Sequence, residues 1–237
     1  MNSSIKTGLI LGVSLIISAL IFGSYFYQAQ SPGQTITVVG AASRNFEADT
    51  VKWTLNIEED VLGDNLSAGY ERLKMVREKI FALLAAKGIN PGSVTMKPPQ
   101  VYKEYDYTEG ARIFRGYHFQ QTIYVITDQV DTVEKIAFDP LDLLDGGTIN
   151  SHLEYFYSGI DELKKAMVGE ATKNARERAE KMVEQTDVKV GKIVSVRSGV
   201  FQITEPHSTR VEAGGIHDTS TRHQQIRVTA HVTFALK

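Results

Sequence analysis

The 237-residue chain has no cysteine, which excludes disulfides, thiolate-bound metals and a cysteine nucleophile. That absence fits an oxidising compartment as well as a reducing one, so the compartment has to be read elsewhere. An excess of positive charge is also missing. The 26 Lys and Arg stand against 28 Asp and Glu, whereas nucleic-acid binders usually carry a clustered basic face, so no nucleic-acid partner is expected. Local enzyme signatures are absent too. Gly146-Gly147 is not followed by Gly-Lys-Ser/Thr, no glycine triplet follows a strand at dinucleotide spacing, and neither a G-x-S-x-G elbow nor an H-E-x-x-H pair occurs. Motifs do not reveal a triad assembled from distant residues, but no nucleophile and base stand out. No catalytic, cofactor-binding or metal-ligating residue is therefore assigned, and a non-enzymatic role is expected.

What is present begins with residues 8–27, GLILGVSLIISALIFGSYFY, an uncharged run of the length that crosses a bilayer core as a helix. Lys6 is the only basic residue before it and none follows until Arg44, a bias that places Met1 in the cytoplasm and the rest outside. Tyr25, Phe26 and Tyr27 suit the outer interface. A cleaved signal peptide is the rival reading, but such peptides have shorter apolar cores of about 7–15 residues ending in an A-x-A-like site. Here Tyr27 stands where the first small residue before Ala29 belongs. The sequence thus reads as an anchor over residues 1–30, a linker at Ser31-Pro32-Gly33, and a folded region over 34–237. The expected location is the inner, cytoplasmic membrane, single-pass, with the folded region in the periplasm or outside the cell.

In the folded region, residues 35–41 are β-rich, and Val51, Trp53, Leu55 and Ile57 alternate with polar residues as in a half-buried strand, with Trp53 read as core. From Leu66 through Tyr70, Leu73, Val76, Ile80, Phe81 and Leu84 the spacing is helical, with Asn65 or Ser67 to cap and Gly88 to terminate. Strands are predicted at 94–107 and 112–127 around a Thr108-Glu109-Gly110 turn, the first bent or at an edge because of Pro98 and Pro99. Asp128 is expected to cap a second helix bearing Val130, Val133 and Ile136 or Ala137, interrupted by Pro140 and Gly146-Gly147. A strand at 149–157 precedes a long helix at about 161–185, whose stripe is Leu163, Met167, Ala171, Ala175, Ala179 and Met182. Alanine at every fourth position permits close approach of a neighbour. Strands close the chain at 192–201 and 224–236, flanking residues 202–222, which are polar, lack periodicity and read as a long mobile hairpin loop. The predicted class is α+β, with antiparallel or mixed sheet, about three helices packed on one face, and one preceding transmembrane helix.

Several groups invite a sharper reading. His207, His217 and His223 with Glu205, Glu212 and Asp218 form the best metal hypothesis in sequence, but their spacing is irregular, and a solvated polar loop explains them as well. His118 and His231 read as ordinary strand residues with no evident partner. Tyr102, Tyr105, Tyr107, Tyr117 and Tyr124 suit cross-strand packing or, alternatively, a protein interface or a carbohydrate-stacking face. The mixed charges of residues 170–184 read as a solvated helix face.

Four stretches carry a family resemblance: ITVVGAASRNFEADTVKWTLNI at 36–57, GYHFQQTIYVITDQVDTVEKI at 116–136, the alanine-spaced helix followed by VKVGKIVSV at 188–196, and IRVTAHVTFAL at 226–236. Together they resemble the SIMPL-domain family, which includes periplasmic and outer-membrane immunogenic proteins of bacteria. The resemblance implies an exported α+β domain that in some members assembles into ring- or channel-like oligomers, and a stress-related role by association. It supplies no catalytic residue. A homo-oligomer is therefore expected, with an envelope protein as a further partner. Phe138-Asp139-Pro140 and the 202–222 segment depart from the family's simplest pattern.

Overall fold

The computed structural model describes residues 3–30, 33–108, 110–139 and 148–237. In chain order the elements are α1 (Ser3–Gln30), β1 (Thr35–Glu47), β2 (Thr50–Leu62), α2 (Leu66–Ala86), a 3₁₀ turn (Pro91–Ser93), β3 (Val94–Met96), β4 (Gln100–Thr108), β5 (Ala111–Thr127), α3 (Val130–Phe138), β6 (Thr148–Phe156), α4 (Ile160–Val183), β7 (Val190–Ser198), β8 (Gln202–Thr204), β9 (Ile216–His217) and β10 (His223–Leu236). The α+β class holds, with two sheets. Contacts divide the chain into two compact units: Met1–Ala42, Val168–Gly199 and Val228–Lys237 form one, and Ser43–Met167 with Val200–Arg227 the other.

In the larger unit an antiparallel sheet has the order β3-β5-β2-β6, with β4 also on β5. The alternation of β2 becomes a burial pattern: Val51, Trp53, Leu55 and Ile57 are fully buried while their even-numbered neighbours face outward. Trp53 is core, as expected, and its indole N–H donates to Ser151 Oγ at 2.7 Å. Helices α2 and α3 cover the apolar face, placing Leu73, Val76, Ile80, Leu84, Val130, Val133 and Ile136 in the same cluster. Asn65 caps α2, its Oδ1 accepting from the Ala68 N–H at 3.2 Å, and Gly88 follows the helix at φ 76°.

In the smaller unit β10 pairs antiparallel with β7, from Ala230↔Ser198 to Leu236↔Val190. The alanine stripe does what its spacing predicts. Ala171, Ala175 and Ala179 are fully buried, and a Cβ added to Gly40 of β1 would lie 2.1 Å from the Ala171 carbonyl oxygen. Strand backbone therefore rests directly on helix backbone. Arg178 and Asn174 fasten the contact, through Val39 O at 2.6 Å and the Ala41 N–H at 3.0 Å.

Several expectations are corrected. The strand expected at 94–107 is two, β3 and β4, because Pro98 and Pro99 cannot donate to the ladder; both pieces lie along the same edge of β5. Asp128 does not cap α3, whose start carries no side-chain cap. Met182 is 64% exposed, since α4 ends one residue later. Residues 202–222 are not a bare hairpin loop. β8 pairs with β10 and, in parallel, with β9, and Gln202, Ile203, Thr204 and Ile216 are buried. Pro140 and Gly146-Gly147 lie outside the described residues. As for the anchor, among the described residues no helix is long and apolar enough to cross a membrane.

Candidate functional site

Arg222, just before β10, closes a cleft of about 600 Å³ in the larger unit, lined also by Glu47, Asp49, Asp128 and Asp131. Its Nη1 donates to Asp131 Oδ1 at 2.5 Å and to Glu134 Oε2 at 2.9 Å. Nε lies 2.7 Å from Glu47 Oε1 without hydrogen-bond geometry, so that contact is Coulombic. The hydrogen bond to Arg222, reinforced by its charge, holds Asp131 below the usual carboxylate range, and the same partners raise the Arg222 pKa. Behind it the Tyr155 hydroxyl donates to Glu134 at 2.8 Å; burial first and this bond second push Tyr155 up to about 12. Burial would raise Asp49, but the Ser158 hydroxyl and amide at 2.5 and 2.9 Å, with Thr50, outweigh it and lower it. Among the described residues the cation lining this cleft, Arg222, is thus already held by carboxylates, and Thr132 also lines the wall. The arrangement is a clamp on residue 222.

A second cluster lies on the outward face of the same unit's sheet. Antiparallel pairing sets Asp60 opposite His118, and His118 Nδ1 is 2.7 Å from Asp60 Oδ1. Glu104 of β4 reaches the same place, and donor atoms of Asp60, Glu104 and His118 all lie within 4.8 Å of one another. Sequence reading left His118 without a partner. Pairing β2 with β5 and counting register from their alternating residues is the signal that would have found Asp60.

The histidines singled out in sequence are not brought together. His207, His217 and His223 are exposed, and Asp218 and Glu212 are engaged by Arg210 at 3.3 and 3.4 Å. Hydrogen bonds from the Ser220 amide and hydroxyl lower Asp218, while desolvation of the covered part of an otherwise exposed ring and then Lys164 lower His217. The segment is stitched by Gln202, which donates to Glu212 O at 2.7 Å. His231 is exposed on β10.

Two surfaces remain. The tyrosines of the β4–β5 hairpin divide: Tyr105 meets Phe114 edge-on at 5.8 Å and carries Arg112 over its ring at 3.6 Å, and Tyr117 donates to Asp64 at 2.8 Å, whereas Tyr102 and Tyr107 are exposed. Strand β7 is different. Among the described residues it pairs with β10 alone, and Ile193, Val194 and Val196 are 47%, 60% and 46% exposed.

A search of the curated proteins finds no match. Residues 36–235 match the model of SIMPL, a protein family of unknown function (DUF541), in agreement with the resemblance read from the sequence. The match covers almost all of the chain beyond α1, and the protein belongs to the SIMPL family.

Proposed function

We propose that this SIMPL protein is a membrane-tethered, non-enzymatic scaffold of the bacterial cell envelope that associates with copies of itself through the free edge of β7. The edge is the observation that carries the reading. A strand with one unpaired side exposes a row of N–H and C=O groups that can continue a sheet into another chain, and soluble proteins usually guard such edges with charge or proline. β7 instead presents Ile193, Val194 and Val196, with Lys192 and Arg197 as flanking charges. Support for the tether comes from α1, a single helix of 28 residues with no charged residue over 8–27, whose described apolar side chains are exposed, among them Leu9, Leu15 and Phe22. On this reading Lys6 stays on the cytoplasmic side and the SIMPL region outside. The non-enzymatic part rests on the sequence, which carries none of the local phosphate-loop, dinucleotide, serine-hydrolase or zinc-protease signatures. The alternative, a metal-binding stress protein using the histidines of residues 202–222, gains no support from their dispersed positions.

Because the chain is naturally free of cysteine, single cysteines placed along β7 in the full-length protein provide the test. Oxidation in membranes should give disulfide dimers that alternate in yield from residue to residue along 192–197, since only closely facing positions meet disulfide geometry. Absence of dimers at every position overturns self-association through this edge.

A further inference from the structure

Asp60, Glu104 and His118 sit on three different strands, β2, β4 and β5, yet their donor atoms converge within 4.8 Å. Register explains the convergence. His118 stands between Asp60 on one side and Tyr102 on the other, and Glu104 falls in the next row on the same face, opposite Gly116. Gly116 puts no side chain into that row. Nor can another residue take its place without backbone movement, because a Cβ there would lie 2.0 Å from the Val61 carbonyl oxygen. A register shift between Glu104 and Tyr105 marks a bulge beside this carboxylate, a device that re-aims side chains. The Tyr102 ring stacks on the imidazole at 6.5 Å and 30°, and the Tyr102 hydroxyl is itself anchored on Gln100 at 2.8 Å. The His118 and Asp60 side chains are 28% and 66% exposed, so the cluster is open to an ion carrying water.

One imidazole and two carboxylates give a nitrogen and oxygen donor set with two negative charges when the ring is neutral. Calcium prefers six to eight oxygens and magnesium an all-oxygen octahedron, so the imidazole selects for a transition ion. Zinc accepts three such protein ligands with water in the fourth position. We propose that Asp60, Glu104 and His118 form a binding site for a divalent transition ion, Zn²⁺ foremost. The bound ion bonds separately to Asp60 and His118 in place of their direct hydrogen bond, and Glu104 ties the β4–β5 hairpin to β2. This proposal stands independently of the scaffold reading.

The test is equilibrium dialysis of the detergent-solubilised full-length chain against Zn²⁺, with metal quantified by mass spectrometry. Wild type should take up one equivalent, and the shape-conserving Asp60→Asn and Glu104→Gln, like His118→Asn, should each weaken uptake on the order of tenfold or more. His207→Ala and His217→Ala should bind as wild type does. Circular dichroism identifies any variant that fails to fold, and the isosteric pair keeps the test decisive if His118→Asn does. No uptake by wild type, or uptake undiminished in folded Asp60→Asn and Glu104→Gln, overturns the proposal and leaves a cross-strand hydrogen-bonded pair only. Loss confined to the His207 and His217 variants overturns it as well.

Discussion

The Phe119 ring of β5 occupies the place where Gly69 of α2 would carry a β-carbon: a Cβ built there lies 1.9 Å from Phe119 Cε2. Alanine is ordinarily favoured over glycine inside a helix by about 1 kcal/mol. Displacing a fully buried ring costs about 1–3 kcal/mol, so the packing term exceeds the propensity gain. Gly69→Ala should therefore lower the unfolding free energy, by up to about 2 kcal/mol net of the propensity gain, as measured by urea denaturation. An increase would mean that the ring has room to move.

Gly40→Ala should cost more, toward about 3 kcal/mol, because the atoms it meets are α4 backbone, Ala171 O at 2.1 Å and Ala175 N at 2.4 Å, and not a side chain that can turn. Gly169 on the same helix has nothing within 4 Å of its added Cβ. Gly169→Ala should stabilise by about 0.5–1 kcal/mol and separates helix propensity from packing. Thermal unfolding of the two variants side by side checks both.

Arg222 gives the fold an acid dependence. Its hydrogen bond depresses Asp131 in the folded state, so the associated stability is fully present above the unfolded carboxylate pKa near ~4 and fades as pH falls through the lower folded value. Arg222→Met should therefore destabilise at pH 7 and should cost progressively less on acidification. Denaturation curves from neutral to strongly acidic pH check the convergence; a constant gap would contradict the clamp. Glu59 has the opposite sign: burial raises its pKa, so protonation favours the fold, and that contribution is lost as pH rises through the folded value.

Much of this fold is legible in the residues. The period-two runs of β2 and β10 give the buried faces, and the four-residue alanine spacing of α4 anticipates the Gly40 contact. β8 and β9 escape such reading because strands of three and two residues are too short for any period to register; their partners are chosen by tertiary contacts. Pro98 and Pro99 signal the β3–β4 break: they read as an edge or bent strand, and both pieces do lie on an edge of the sheet, but the prolines also interrupt the ladder between them. The Asp60–His118 pair spans 58 residues and depends on the register of β2 against β5, so no local pattern announces it. The histidines of 202–222 illustrate the converse, since closeness in sequence does not supply a common point in space.

The central claim, self-association through β7, is tested most directly by the mass of the detergent-solubilised full-length chain, measured by light scattering after size-exclusion chromatography. A defined oligomer is predicted for wild type. Val194→Lys should reduce it to monomer without loss of secondary structure, because a charge on an edge strand opposes further pairing. Monomeric wild type over a wide concentration range, or an oligomer that Val194→Lys leaves intact, would contradict the account.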